Sequence, residues 1–211
     1  MESKQQEIIN VAREMFGEYG IRSVSVDDIC RQVGISKKTL YQYYNNKAEL
    51  LDSLLTQEME NVKNEALEIK AEANNAIHSL LLVSKLIGRL SMNAKPAAAY
   101  DLKKYYPELY KKFVDIKRQM AYEGIVMNLE RGMKEGLYRS DLSIEVIARL
   151  YIQKIEQMHD KEFLQHMEFS HECILKIMFE NHIRGIANQK GIEVFEKEKE
   201  NLNFKIDDTS A

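Results

Sequence analysis

Between Ser25 and Lys47 the chain gathers Ser25, Ser36, Lys37, Lys38, Thr39, Tyr41, Gln42, Tyr43 and Lys47. Cations and hydroxyls of this kind suit phosphate oxygens, and an amide such as that of Gln42 suits a base edge. Arg31, Lys37, Lys38 and Lys47 contribute +4 over residues 31 to 48 with no acid among them, which leaves −7 for the rest of a chain whose formal net charge is −3. A basic face on an acidic protein implies a polyanion met at one place only. Lys37 and Lys38 fall in the first turn of one expected helix and Lys47 in the first turn of the next. There the macrodipole disfavours each cation by roughly 0.3–1 kcal/mol. Stability alone would not put lysines at those positions.

Other chemistries are poorly supplied. The histidines are His78, His159, His166, His171 and His182, with Glu156, Glu162 and Cys173 near the middle three. His166 and His171 are five residues apart, on different helical faces, and no histidine pair has i, i+4 spacing, so no metal site and no cofactor are expected. No nucleophile elbow, phosphate-cradling glycine loop or paired-carboxylate setting occurs in a suitable context, so no enzyme is expected. Cys30 and Cys173 each fall in an apolar helical pattern and read as reduced, buried thiols. The start of the chain leads directly into an amphipathic pattern and no stretch reaches membrane-spanning length, which gives the expectation of a cytoplasmic protein with no membrane partner.

The elements that must hold the basic stretch can be read from capping and periodicity. Ser25 and Asp28 have capping-box spacing, and Val26, Ile29, Cys30 and Val33 form one apolar stripe stopped by Gly34. Ser36 caps the next helix, with Ile35 and Leu40 at hydrophobic-staple spacing. The outcome is a helix-turn-helix whose turn is Val33, Gly34 and Ile35. Upstream, Ile8, Ile9, Ala12, Met15, Phe16 and Tyr19 share one face of a helix over residues 5 to 19, which should pack on Val26, Ile29, Val33, Leu40 and Tyr44.

With these residues in place, the stretch Gly34, Ile35, Ser36, Lys37, Thr39, Leu40, Tyr41, Tyr44, Lys47, Leu50 and Leu51 resembles the DNA-binding domain of the TetR family. Cys30 stands where that family usually has alanine, and Tyr44 where it has phenylalanine. The resemblance covers about the first quarter of the chain. It implies a sequence-specific transcriptional regulator, a repressor released by a small, largely apolar ligand, working as a homodimer on a palindromic double-stranded operator. It assigns Lys37, Lys38 and Thr39 to the groove or its edge and Ser25, Ser36, Tyr41, Tyr43 and Lys47 to phosphates, with Gln42 as a base reader. The rival from another class is a helical sensory or binding protein whose helix-turn-helix does not engage DNA.

Residues 47 to 211 read as further helices. Two prolines, Pro96 and Pro107, and glycines mostly at helix ends fit an all-α chain. The expected division is a helix-turn-helix domain over residues 1–46 and a larger ligand-binding and dimerisation domain over 47–211, ending in a polar tail. Asn46 and Glu49 open a helix from Lys47 to about Lys70, a lever between the two. An apolar helix over 75–92 should be central, residues 93–106 a loop with a short helix, and Pro107 the start of a helix to about Lys134. Helices from Ser143 and from about Lys161 to Ala187 follow, with polar sequence from Gln189. Met92, Phe113, Met120, Tyr122, Met127 and Met158 are candidates to line an adaptable apolar pocket, although methionines at helical spacing equally fill a core. The family resemblance implies that the last two helices pair across a two-fold axis, which assigns Ile147, Tyr151, Ile155, Ile174 and Met178 to the dimer interface.

Overall fold

The computed structural model describes residues 3–157 and 170–202. It is helical throughout, with one isolated bridge between Tyr138 and Ala187. In chain order the helices are α1 (Lys4–Tyr19), α2 (Val26–Val33), α3 (Lys37–Leu40), α4 (Lys47–Glu72), α5 (Ala76–Met92), α6 (Pro96–Tyr105), α7 (Pro107–Lys134), α8 (Ile144–Gln157), α9 (His171–Ile186) and α10 (Gln189–Asn201). No helix among the described residues is long and apolar enough to cross a membrane.

The chain forms two compact units. One contains residues 1–64 and 93–117, the other 65–92 and 118–211. The expected cut after residue 46 therefore differs from the packing: the unit carrying the helix-turn-helix also takes in the first part of α4, all of α6 and the start of α7. The sequence pattern along α6 does not reveal this, because only Leu102, with Ala98 beside it, turns inward.

In the first unit Ile8, Ile9, Ala12 and Phe16 from α1 close on Ile29 and Cys30 of α2, Leu40, Tyr44, and Leu50, Leu51 and Leu54 of α4. Burial of this many aliphatic side chains, each contributing roughly 1.5–3 kcal/mol, holds helices that are too short to persist alone. The second unit centres on α5, where Ile77 and Leu81 are fully buried, with Leu129 of α7, Tyr151 of α8, Phe179 and Ile183 of α9 and Phe195 of α10.

One expectation for the carboxyl-terminal third is corrected. A single helix from about Lys161 does not form, because Ser170 is extended and its hydroxyl accepts the Cys173 amide, so α9 starts at His171; the expected start lies among residues 158–169, outside the described ones. The polar stretch from Gln189 is helix α10, capped by Asn188 and packed on α5, with Phe195 fully buried.

His182 lies in this second core, 8% exposed, its ring stacked on Tyr151 with centroids 3.8 Å apart. Burial, aided by the Lys154 charge, pushes its pKa down to about 4. A histidine whose folded-state pKa is depressed contributes stability above its unfolded pKa near 6.5 and loses it as pH falls through that range towards 4. Thermal or urea unfolding at pH 7 and pH 4.5 should show an acid-sensitive contribution of up to about 3 kcal/mol in the wild type that is missing from His182→Gln. Equal acid sensitivity in both proteins would contradict this assignment.

Candidate nucleic-acid interface

The Ser25 hydroxyl accepts the Asp28 amide at 3.2 Å, while the Asp28 carboxylate accepts the Ser25 amide at 2.9 Å and the Ser25 hydroxyl at 2.6 Å. These bonds from Ser25 hold the Asp28 carboxyl below the usual carboxylate range. The capping box fixes where α2 begins, and Gly34, at φ 73°, fixes where it ends, since a left-handed residue there lets the chain turn without a Cβ penalty. Ser36 then caps α3, accepting the Thr39 amide at 3.1 Å and meeting the Thr39 hydroxyl at 2.9 Å. Regular α-helix lasts only from Lys37 to Leu40, and Tyr41 to Tyr43 continue as turns, with the Gln42 amide on Thr39 O and the Tyr43 amide on Leu40 O.

This framework turns Leu40 and Tyr44 fully inward and leaves Lys38, Tyr41, Gln42 and Tyr43 outward, with Tyr41 46% and Tyr43 39% exposed. The four supply one exposed cation, two phenols and one amide. Lys37 is also exposed but pairs with Asp27 at 2.7 Å, and Arg31 approaches Asp28 at 3.6 Å. Such exposed pairs are worth about 0–1 kcal/mol and open readily for a stronger anion. Ser25, Ser36 and Thr39 are at the surface, with hydroxyls engaged in capping.

Lys47 departs from its expected role. Its ammonium donates to the carbonyls of Ile21 and Val24 and lies 5.4 Å from the centroid of the Phe16 ring. Burial lowers its pKa. The side chain thus ties the loop between α1 and α2 to the first turn of α4, rather than facing phosphate, because two convergent carbonyls inside the protein satisfy the charge. The first turn of α4 is itself capped by Asn46, whose side-chain oxygen accepts the Glu49 amide at 2.9 Å.

Two residues that sequence reasoning missed act on the same loop. Asp101 of α6 accepts the Arg22 amide at 2.8 Å, and Arg22 donates to the Tyr105 hydroxyl at 2.7 Å. Partners 79 and 83 residues apart leave no periodic or motif signal.

The remaining candidates differ in exposure. Met92 is 78% and Met127 50% exposed, so neither lines an enclosed cavity in this chain. Phe113 is buried and belongs to the first unit, Met120 and Tyr122 are half-buried in the second, and Met158 lies outside the described residues. Of the expected dimer contacts, Ile147, Ile155, Ile174 and Met178 are half-buried against the second core, whereas Tyr151 is 3% exposed within the chain's own interior. Tyr151 is unavailable to a partner because its ring is enclosed by His182 and Phe179. Val146 and Leu150 of α8 are the large apolar side chains left outward there, 52% and 57% exposed. No cluster of three or more potential metal ligands occurs among the described residues.

Residues 8–54 match the sequence model for bacterial regulatory proteins of the tetR family. Over 163 residues the chain is 25% identical to the HTH-type transcriptional repressor KstR2 of Rhodococcus jostii, covering 69% of this chain and 73% of that protein. It is 23% identical over 190 residues to the fatty acid metabolism regulator protein of Bacillus subtilis, covering 88% and 97%. Among solved structures, a transcriptional regulator from Cytophaga hutchinsonii superposes with a TM-score of 0.72 at 18% identity, over 89% of this chain and all of the other.

Proposed function

We infer that this chain, which belongs to the TetR family of transcriptional regulators, is a repressor whose hold on DNA is relieved by a small, largely apolar ligand. The observation that carries the DNA half of this reading is the exposed set Lys38, Tyr41, Gln42 and Tyr43, held outward by a doubly capped helix-turn-helix on a packed core. Lysine and the phenols supply donors to phosphate, and the Gln42 side-chain amide can bond both N6 and N7 of an adenine in the major groove. Lys37 and Thr39 stand at the edge of the same set, and Ser25 and Ser36 present helix-capping hydroxyls to the backbone.

The chain acts as a homodimer, so that two reading heads meet half-sites about 34–36 Å apart on a near-palindromic operator. The exposed Val146 and Leu150 on α8, with Ile147 and Ile155 beside them, supply an apolar face for the two-fold contact. Sedimentation as a monomer at micromolar concentration would refute that assembly. The fatty acid metabolism regulator among the relatives supports a ligand of apolar character, bound in the second unit, where Met120 and Tyr122 are half-buried. A ligand shifts DNA binding only through a difference in its affinity for two shapes of the protein. Helices α4 and α7, each contributing to both units, are the continuous elements along which that preference travels.

Lys38→Ala should lower the slope of log K against log salt by about one on any duplex, because one phosphate contact is lost. Selection of fragments from genomic DNA by the full chain should recover a two-fold sequence. Failure to enrich any sequence, together with an unchanged slope for Lys38→Ala, would favour a helical sensory protein whose helix-turn-helix does not engage DNA. Thermal-shift screening with and without the selected DNA then identifies ligands that raise stability and release the duplex.

A further inference from the structure

Among the described residues, several cations of the first unit are neither ion-paired nor turned inward, and a group of them lies outside the helix-turn-helix. On α6, Tyr100, Lys103 and Lys104 have i, i+3, i+4 spacing and share the exposed face opposite Leu102. Lys104 donates to the Tyr100 hydroxyl at 3.0 Å and lies 5.3 Å from the Tyr100 and 5.5 Å from the Tyr105 ring centroid. Arg22 donates to the Tyr105 hydroxyl and lies 5.0 Å from that ring. Tyr100 remains 59% and Tyr105 37% exposed.

We propose that Arg22, Lys103 and Lys104, framed by Tyr100 and Tyr105, form a second phosphate-binding patch that extends the DNA footprint beyond the helix-turn-helix. The proposal rests on the chain being a DNA binder. Four features favour it. Arg22 precedes Ser25, the cap of α2, by three residues, so the patch adjoins an element of the reading head. Its loop is fixed on both sides, by Lys47 on the Ile21 and Val24 carbonyls and by Asp101 on the Arg22 amide, so the guanidinium is held in place before DNA arrives. Each of the two phenols accepts a hydrogen bond from a cation, which leaves its own proton to donate to a phosphate oxygen. Asp101, the acid within the group, is occupied by the Arg22 amide. The partner chemistry is therefore a row of phosphates on a duplex flank, with no base readout, because the groups are cations and hydroxyls on a convex helix face.

The test uses the full chain and a fluorescein-labelled duplex of arbitrary sequence, about 30 base pairs long, titrated at several salt concentrations. Lys103→Gln with Lys104→Gln removes two exposed charges without touching the Arg22 loop. This double variant should lower the slope of log K against log salt by about two and weaken binding at least about tenfold at 0.1 M salt, with an unchanged melting temperature. Arg22→Gln should lower the slope by about one more. A slope and affinity equal to wild type in the double variant, while Lys38→Ala does lower the slope, would overturn the patch and leave the DNA reading intact. Absence of duplex binding by the wild-type chain would end both. A duplex shortened to the selected operator core should also lose the difference between wild type and the double variant; persistence of that difference on the short duplex would place the lysines elsewhere than on the flank and refute the proposal.

Discussion

Lys47→Ala costs the first unit about 1–3 kcal/mol and leaves the salt slope of DNA binding within half a unit of wild type. A lysine in a DNA-binding motif would ordinarily be expected to act on phosphate, with the opposite result. Here its ammonium donates to the Ile21 and Val24 carbonyls beside the Phe16 ring, and burial lowers its pKa. Removing it leaves two carbonyls short of a donor and withdraws the aliphatic stem from packing. Hydrogen bonds to a charged group contribute about 1.5–3 kcal/mol, offset in part by water that reaches the loop after truncation. Lys47→Met separates the two contributions, since it keeps most of the stem and loses only the donors. Urea unfolding followed by circular dichroism, paired with salt titration of DNA binding, measures both consequences. A slope reduced by about one with unchanged stability would return Lys47 to the phosphate contacts.

Gly191→Ala should be the more damaging substitution, lowering the melting temperature by about 6–12 °C, equivalent to about 3 kcal/mol in a chain of this size. In an exposed helix the change would be favourable by about 1 kcal/mol. But a Cβ at this position would stand 2.1 Å from the Leu137 carbonyl oxygen and 3.0 Å from the Ala187 side chain. The obstacle is backbone, so no rotamer change relieves it. Helix α10 must move off the loop, taking with it the buried Phe195 and the paired Arg184–Glu196 and Lys199–Glu180 contacts. A scan showing equal or higher stability for Gly191→Ala would mean that α10 is not docked as described.

These two substitutions mark how far local pattern reaches. The helix-turn-helix was legible because its determinants are short-range: Ser25 with Asp28, the left-handed Gly34, and Ser36 with Thr39 act within three residues, and the stripe of Ile29, Cys30 and Leu40 follows helical periodicity. The long helices from Lys47 and Pro107 and the short one between the prolines were legible for the same reason. Helix α10 was not, since its polar composition hides one buried phenylalanine and one glycine whose value lies in a neighbour 54 residues earlier. Of the expected ligand residues, Met92 and Met127 turn outward, because methionine at helical spacing carries no information about which side of a helix meets a cavity.

By itself, then, the sequence determined that residues 25 to 47 present a capped, basic reading motif within an all-helical chain, since caps, turns and amphipathic stripes are written into adjacent residues. Tertiary structure alone decided which cations face outward. It turned Lys47 onto two carbonyls, left Lys38 exposed, and brought Asp101 and Tyr105 of α6 against Arg22. Charge is a property of the residue, but its availability depends on which distant carbonyls and carboxylates the packed core places within hydrogen-bond reach.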